Sequence, residues 1–382
     1  MISEGRVEIT LPRGRVATMR YDRPVDVTPV LKGQAPEEVM PLVSAIYGVC
    51  ANAQAHAAVL ALEAASGSAA DASTQRARAL VTCMENLREN VLRIALEWPK
   101  LIGGEPEGPA VRPAISFLPR IRLAMFDGTD PFALDAAARM NGQAALDVIA
   151  DAERLLEKEI FGEPLDYWLS RRGHVGHIDW CVSSKSPAAR LIAHLADCGW
   201  MHRADIDCGS IELPGANAVA LWPRQLARAG GLAPFSTDAA VPETTLFSRR
   251  ARDGVVASLN NAGLGARFLA RLAELARLPG EMRSVLEGGA EPKSVSEYAE
   301  GAGIGIVEAA RGLLLHVVRL HNGHVDRYRI VSPTDWNFDR QGIAVRCLAT
   351  LDGHHDEDER LALAHLIVNA IDPCVAYEVR AG

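Results

Sequence analysis

Two short segments, far apart in the chain, carry thiols in settings that point to metal chemistry. Residues 47–56 read YGVCANAQAH and residues 372–382 read DPCVAYEVRAG, so Cys50 has Tyr47 three residues before it and Cys374 has Tyr377 three residues after it. Thiolates are soft donors suited to late transition metals, and a Cys-x-x-Cys pair would offer two. A phenol in the place of the second thiol stays protonated near pH 7, because its ordinary pKa is about 10, and it is a hard donor once ionised. Each segment therefore keeps half of a dithiol, and the two together cannot supply four thiolates. His174-x-x-His177 with Asp179 is a second set of ligand-type residues, but it lacks a third donor at a fixed spacing. Surface hydrogen bonding from a loop is the plainer reading there. Cys83, Cys181, Cys198, Cys208 and Cys347 read as small buried hydrophobes.

The elements that must position the thiols are mostly helical. Apolar residues recur at three- and four-residue spacings over 50–65, 73–97, 134–160, 186–198, 263–277 and 358–371. Asp356, Glu357, Asp358 and Glu359 stand at the start of the last stretch, where carboxylates favour the helix dipole. Alternation around Pro-Arg-Gly predicts a hairpin over about 6–22, and LLLHVVRL and RYRIVSP flanking His-Asn-Gly-His predict another over about 311–333. Gly and Pro cluster at 101–113 and through 209–245, which read as surface loops. The fold class is mainly α with small β hairpins, an α+β chain.

Composition narrows the function. Against 40 Lys and Arg stand 48 Asp and Glu, a formal charge of -8 with no basic stripe, which argues against nucleic acid as a partner. The seven cysteines are odd in number and scattered through a chain of 382 residues, so reduced thiols in the cytoplasm are expected. The charged, alternating N-terminus does not read as an export signal. Residues 39–62 contain no Asp, Glu, Lys or Arg, yet the stretch is Ala-rich and holds Ser44, Asn52, Gln54 and His56. It reads as a buried helix rather than a membrane insertion.

Five segments in order resemble the nickel-iron hydrogenase large subunits. VLKGQAPEEVMPLVSAIYGVCANAQAHAAVLALE resembles the family's apolar helix leading into Arg-x-Cys-x-x-Cys and a His, and DPCVAYEVR resembles its Asp-Pro-Cys-x-x-Cys-x-x-His. PETTLFSR at 242–249, VEAARGLLLH at 307–316 and SPTDWN at 332–337 resemble Pro-Glu-Thr-Gly, Glu-Ala-Pro-Arg-Gly and Pro-Thr-x-Trp-Asn. The departures are Ala45 for the first Arg, Tyr47 and Tyr377 for two cysteines, and Gln54 and Arg380 for the two His. Glu4 stands near the family's proton-relay acid, in poor register.

The resemblance implies a single hydrogenase large-subunit-like helical domain over 1–382, reduced in size, with metal-motif segments at 45–56 and 372–380. The narrower likeness is to the hydrogenase maturation proteins of the HupK and HoxV type, thought to be scaffolds for the iron unit Fe(CN)2(CO) before its transfer. On that likeness Cys50 and Cys374 are the metal ligands, and Arg311 and Asp372 are the cofactor-binding residues. No nickel is held, and no hydrogen turnover follows. By correspondence Cys50 falls where the enzymes have a bridging thiolate and Cys374 where they have a terminal nickel thiolate, so the iron either lies between them or is held by one while the other assists transfer. Only Ala381 and Gly382 follow Arg380, which leaves no tail for a maturation protease. Implied partners are a small HypC-type chaperone and the apo hydrogenase large subunit. A hydrogenase-derived oxidoreductase or hydrogen sensor, and an interaction subunit like the quinone-site subunit of complex I, are the alternatives.

Overall fold

The computed structural model describes residues 5–12, 15, 17–22, 28–48, 50–207, 209, 242–289, 294–299, 302–352 and 356–382. The uncharged stretch forms two helices, Pro36–Ile46 and Ala51–Ala65. At 15 residues the second rises only about 22 Å. Among the described residues no helix is long and apolar enough to cross a membrane. Every residue from Asn52 to Ala64 is buried. That explains the absence of charge before Glu63, since nothing on this helix faces water. Its alanines let it lie directly on strand β4 (Ala302–Ala309), where a Cβ on Gly303 would overlap the Ala61 carbonyl and one on Gly305 the Ala57 carbonyl.

The long helix Ala72–Leu96 starts at Asp71, whose carboxylate accepts from the Thr74 amide at 2.8 Å. It packs against helices Val111–Phe126 and Leu264–Leu286. Trp98 meets Phe268 edge-on with ring centroids 5.1 Å apart, a pair worth about 1 kcal/mol beyond its buried area. The remaining expected helices occur as Pro187–Asp197 and Glu357–Ile371.

Three helical expectations need correction. The helix expected over 134–160 begins at Gly142, where Asn141 accepts from the Ala144 amide at 3.0 Å, and it closes in a π turn at Leu156–Phe161. Residues before it are tied down by Arg78, whose guanidinium takes the Pro131 and Ala133 carbonyls at 2.8 and 2.9 Å. The helix expected over 263–277 continues through Pro279 to Leu286, because Met282 and Val285 extend its buried stripe. The 101–113 region is a loop only until Val111, where the Val111–Phe126 helix starts despite Pro113 and Pro119.

The sheets are larger than hairpins. Strands β1 (Arg6–Leu11) and β2 (Thr18–Asp22) pair antiparallel, and β7 (Ala376–Ala381) joins β1 in parallel, with Val7 opposite Tyr377. The second sheet has four antiparallel strands in the order β3 (Ser294–Ala299), β4, β5 (Gly312–His321) and β6 (His324–Val331). Asn322 and Gly323 turn β5 into β6 with φ of 51° and 77°, as a tight hairpin requires. Strands β3 and β4 gave no sequence signal because Gly303 and Gly305 weaken the strand pattern, and those glycines are there for the helix above them.

The close approach makes a contrast between glycines. Gly305→Ala is expected to destabilise the chain by about 3 kcal/mol, since the new methyl meets backbone that cannot yield. Gly280→Ala, inside the Leu264–Leu286 helix with open space around it, is expected to stabilise by roughly 0.5–1 kcal/mol. Chemical denaturation of the two variants measures both.

Candidate functional site

Cys50 is placed by two helices. It is the N-cap of Ala51–Ala65 with φ 54° and ψ 36°, left-handed backbone that strains any residue bearing a Cβ. The amides of Asn52 and Ala53 donate to the Glu85 carboxylate at 3.0 and 2.8 Å, and the Asn52 side chain adds a bond of 2.7 Å. Glu85 is buried on the Ala72–Leu96 helix; burial raises its carboxyl, and the bonds from Asn52 and Ala53 oppose that rise.

Cys374 is placed by the opposite end of the chain. Asp372 ends the Glu357–Ile371 helix, again in left-handed backbone at φ 65° and ψ 84°, and Cys374 follows one proline later. The Cys374 amide donates to the Thr334 hydroxyl oxygen at 2.9 Å. Folding brings the two thiols near each other. The neighbouring thiol pushes Cys50 up and Cys374 down; burial raises both, and the Arg311 guanidinium lowers both. Cys50 is buried, and the Cys374 residue is intermediate in exposure.

Arg311 joins the parts. With Ala310 it forms the two-residue turn between β4 and β5, where Ala309 faces Gly312. Its Nη1 donates to the Cys50 sulfur at 3.2 Å, both Nη atoms reach Glu89 Oε2 at 3.5 Å, and Nε lies 3.3 Å from Asp372 Oδ2. Burial works against its charge, but Asp372, the thiols and Glu89 hold it firmly protonated. Asp372 also meets Arg271 at 2.8 Å and Arg93 at 2.7 Å. Burial alone would raise its carboxyl, whereas Arg311, Arg93 and Arg271 hold it well below the usual carboxylate range.

The three central motifs interlock with this cluster. Asn337 Oδ1 accepts from the Thr244 amide at 3.0 Å and from its hydroxyl at 3.4 Å. The Thr244 carbonyl in turn fills the space a side chain would need at Gly312, whose φ is 138°. Glu243 is buried against Arg267 at 2.8 Å. The residues missed in the sequence are Glu85, Glu89, Arg93, Arg271 and Thr334. Glu85, Glu89 and Arg93 recur every fourth residue on one helix and so share a face, a signal that was present but reads equally well as solvated charge.

The substituted positions have partners of their own. Tyr377 places its hydroxyl 2.7 Å from Asn369 Nδ2 and 3.1 Å from His365 Nδ1. Gln54 Oε1 accepts from His316 Nε2 at 2.7 Å, and His316 Nδ1 faces the Tyr328 hydroxyl at 2.7 Å. Arg380 pairs with Glu378 on the surface.

The His174–His177 segment is a helix, Gly173–Ser183, and not a loop. His177 is buried with Nδ1 2.7 Å from the Gly173 carbonyl, His174 meets Asn261 at 2.6 Å, and Asp179 is exposed. Among the described residues no three His, Cys, Asp or Glu side chains are grouped to hold a metal ion. Cys347 is buried, but Cys198 is exposed, since it follows the end of the Pro187–Asp197 helix. Glu4 and Cys208 lie outside the described residues.

Two outcomes follow for stability. Asp372→Asn leaves the buried guanidinium groups of Arg271 and Arg311 and the half-buried one of Arg93 without their shared carboxylate and is expected to cost about 3–5 kcal/mol in denaturant unfolding. Burial lowers both His56 and His316 to about 3 from their ordinary 6.5, so the unfolded chain binds more protons between those values and acid destabilises the fold. Between pH 7 and pH 5 each is expected to remove about 2 kcal/mol, read as a lower urea midpoint.

The profile of the nickel-dependent hydrogenase family matches residues 236–380. The hydrogenase expression/formation protein HupK of Azotobacter vinelandii is 27% identical over 98% of this chain and 97% of that protein. HoxV of Cupriavidus necator, also named a hydrogenase expression/formation protein, is 27% identical over 97% of this chain and 94% of its own length. The reduced, active nickel-iron-selenium hydrogenase of Desulfomicrobium baculatum superposes with a TM-score of 0.62 at 14% identity, covering 96% of this chain and 95% of that one, a likeness of fold. Residues 236–380 thus match the nickel-dependent hydrogenase family, the fold is like that of a nickel-iron-selenium hydrogenase, and the chain is similar along nearly its whole length to the expression/formation proteins of the HupK and HoxV type.

Proposed function

We propose that the chain acts in hydrogenase maturation and carries the Fe(CN)2(CO) unit as cargo between Cys50 and Cys374. The observation behind this reading is a pair of neighbouring thiols beside a buried guanidinium, whose Nη1 donates to the Cys50 sulfur at 3.2 Å. Two soft protein ligands suit a metal that arrives with ligands of its own and has to leave again. Ferrous iron with two cyanides is neutral, and two thiolates make the assembly doubly negative, which the fixed positive charge of Arg311 offsets. The planar guanidinium also offers N–H donors suited to cyanide nitrogens. Asp372 and Glu89 hold that guanidinium in place. A HypC-type chaperone as source and the apo large subunit as recipient complete the proposal, with the chain itself catalysing no hydrogen chemistry.

Infrared spectroscopy of protein made beside the maturation machinery tests it. Cyanide and carbon monoxide bands are expected in the unaltered chain and are lost in Cys50→Ser, because a serine oxygen is hard and poorly ionised. Arg311→Lys is expected to weaken the bands and shift the cyanide stretches with the fold intact, since Lys keeps the charge and loses the fork. Cys374→Ser is expected either to lose the bands or to keep cargo that is not delivered. Equal intensities in all of these proteins, or hydrogen turnover with stoichiometric nickel, would overturn the proposal.

A further inference from the structure

Helix Ala51–Ala65 has an unusual N-terminus. The side chain at the N-cap ordinarily accepts from the amides two and three residues on, which leaves it folded back on its own helix. Here the N-cap is Cys50, which makes no such bond, and those amides, on Asn52 and Ala53, go instead to the Glu85 carboxylate. The Asn52 side chain binds the same carboxylate and steers it. Glu85 is fully buried, and among the described residues it is the acceptor for both amides. Cys50 meanwhile sits in left-handed backbone with its thiol turned to Arg311 and Cys374.

We infer that Glu85 is the positioning residue of the thiol pair: it caps the helix from outside, which frees the Cys50 side chain to act as a ligand. The inference rests on the thiol pair being a metal site, as proposed above. Without the carboxylate, the amides of Asn52 and Ala53 lose this acceptor, and the helix is free to take in Cys50. A single added helical residue turns its side chain by about 100° and carries the sulfur away from Cys374. Glu85 itself touches no metal.

Cadmium(II) tests this in the full chain without cargo, read by sulfur-to-cadmium charge-transfer absorption against a competing chelator. The unaltered chain is expected to bind cadmium through the thiols, and Cys50→Ser to lose that absorption. Glu85→Gln is expected to weaken binding at least fivefold and to reduce the charge-transfer intensity toward that of one thiolate. Asn52→Ala removes only the bond that steers Glu85 and shifts affinity in the same direction, which keeps the test open should Glu85→Gln fold poorly. Val91→Ala, a core deletion on the same helix as Glu85, is expected to leave cadmium affinity unchanged despite its loss of stability. The inference fails if the folded Glu85→Gln variant binds within fivefold of the unaltered chain, if Asn52→Ala binds as tightly as the unaltered chain, or if Val91→Ala weakens binding equally. If Cys50→Ser binds cadmium as the unaltered chain does, the thiol site itself is wrong, and the positioning role falls with it.

Discussion

A guanidinium removed from water has to be balanced, and the balancing of Arg311 ties together parts of the chain that are remote in sequence. Its partners are Asp372 at the end of one helix, Glu89 in the middle of another and Cys50 at the start of a third. Breaking such an arrangement on one side leaves buried charge uncompensated, so each partner constrains the others. Asp372 is in turn shared with Arg93 and Arg271, and Arg271 also binds Asn90 at 2.9 Å. The thiols come together because the elements bearing them are held by this charged cluster, and the nearness of the thiols is a consequence of it.

Around the cluster, the motif segments hold one another through hydrogen bonds and close packing. Asn337 positions Thr244, Thr244 packs on Gly312 next to Arg311, and Thr334 holds the backbone of Cys374. That interlock accounts for a chain whose central segments keep the family pattern while half of its thiols are gone. The replaced positions were rebuilt into other contacts. Tyr377 is engaged by His365 and Asn369, and Gln54 is engaged by a His316 that burial keeps neutral. Tyr377 thus has hydrogen-bond partners outside the thiol pair, which separates the lost half of the C-terminal Cys-x-x-Cys from the half that remains.

Two strained backbone positions lie where the site is built. Cys50 and Asp372 both take left-handed backbone without being glycine, and each ends a helix at the cluster. Surrounding bonds must maintain such conformations, and here the Glu85 carboxylate and the arginine cluster surround them. The small residues of Ala51–Ala65 and the glycines of β4 bring helix and sheet close enough for Arg311, at the end of β4, to reach the start of that helix.

By itself the sequence determined the helical character, the positions of the strongly periodic helices and the identity of Cys50, Cys374, Arg311 and Asp372 as candidates, because periodicity and motif spacing are local properties. It also showed that Tyr47 and Tyr377 remove thiols, since side-chain chemistry is independent of the fold. Tertiary structure alone decided what surrounds those candidates. Glu85, Glu89 and Arg93 look like the solvated charges of any long helix until packing buries that face, and the strand pattern of β4 was masked by glycines whose purpose is a helix some 240 residues earlier. The pairing of β7 with β1 and the meeting of Cys50 with Cys374 are contacts between the two ends of the chain. No local propensity encodes such contacts; they arise when burial and charge balance leave one way to close the core.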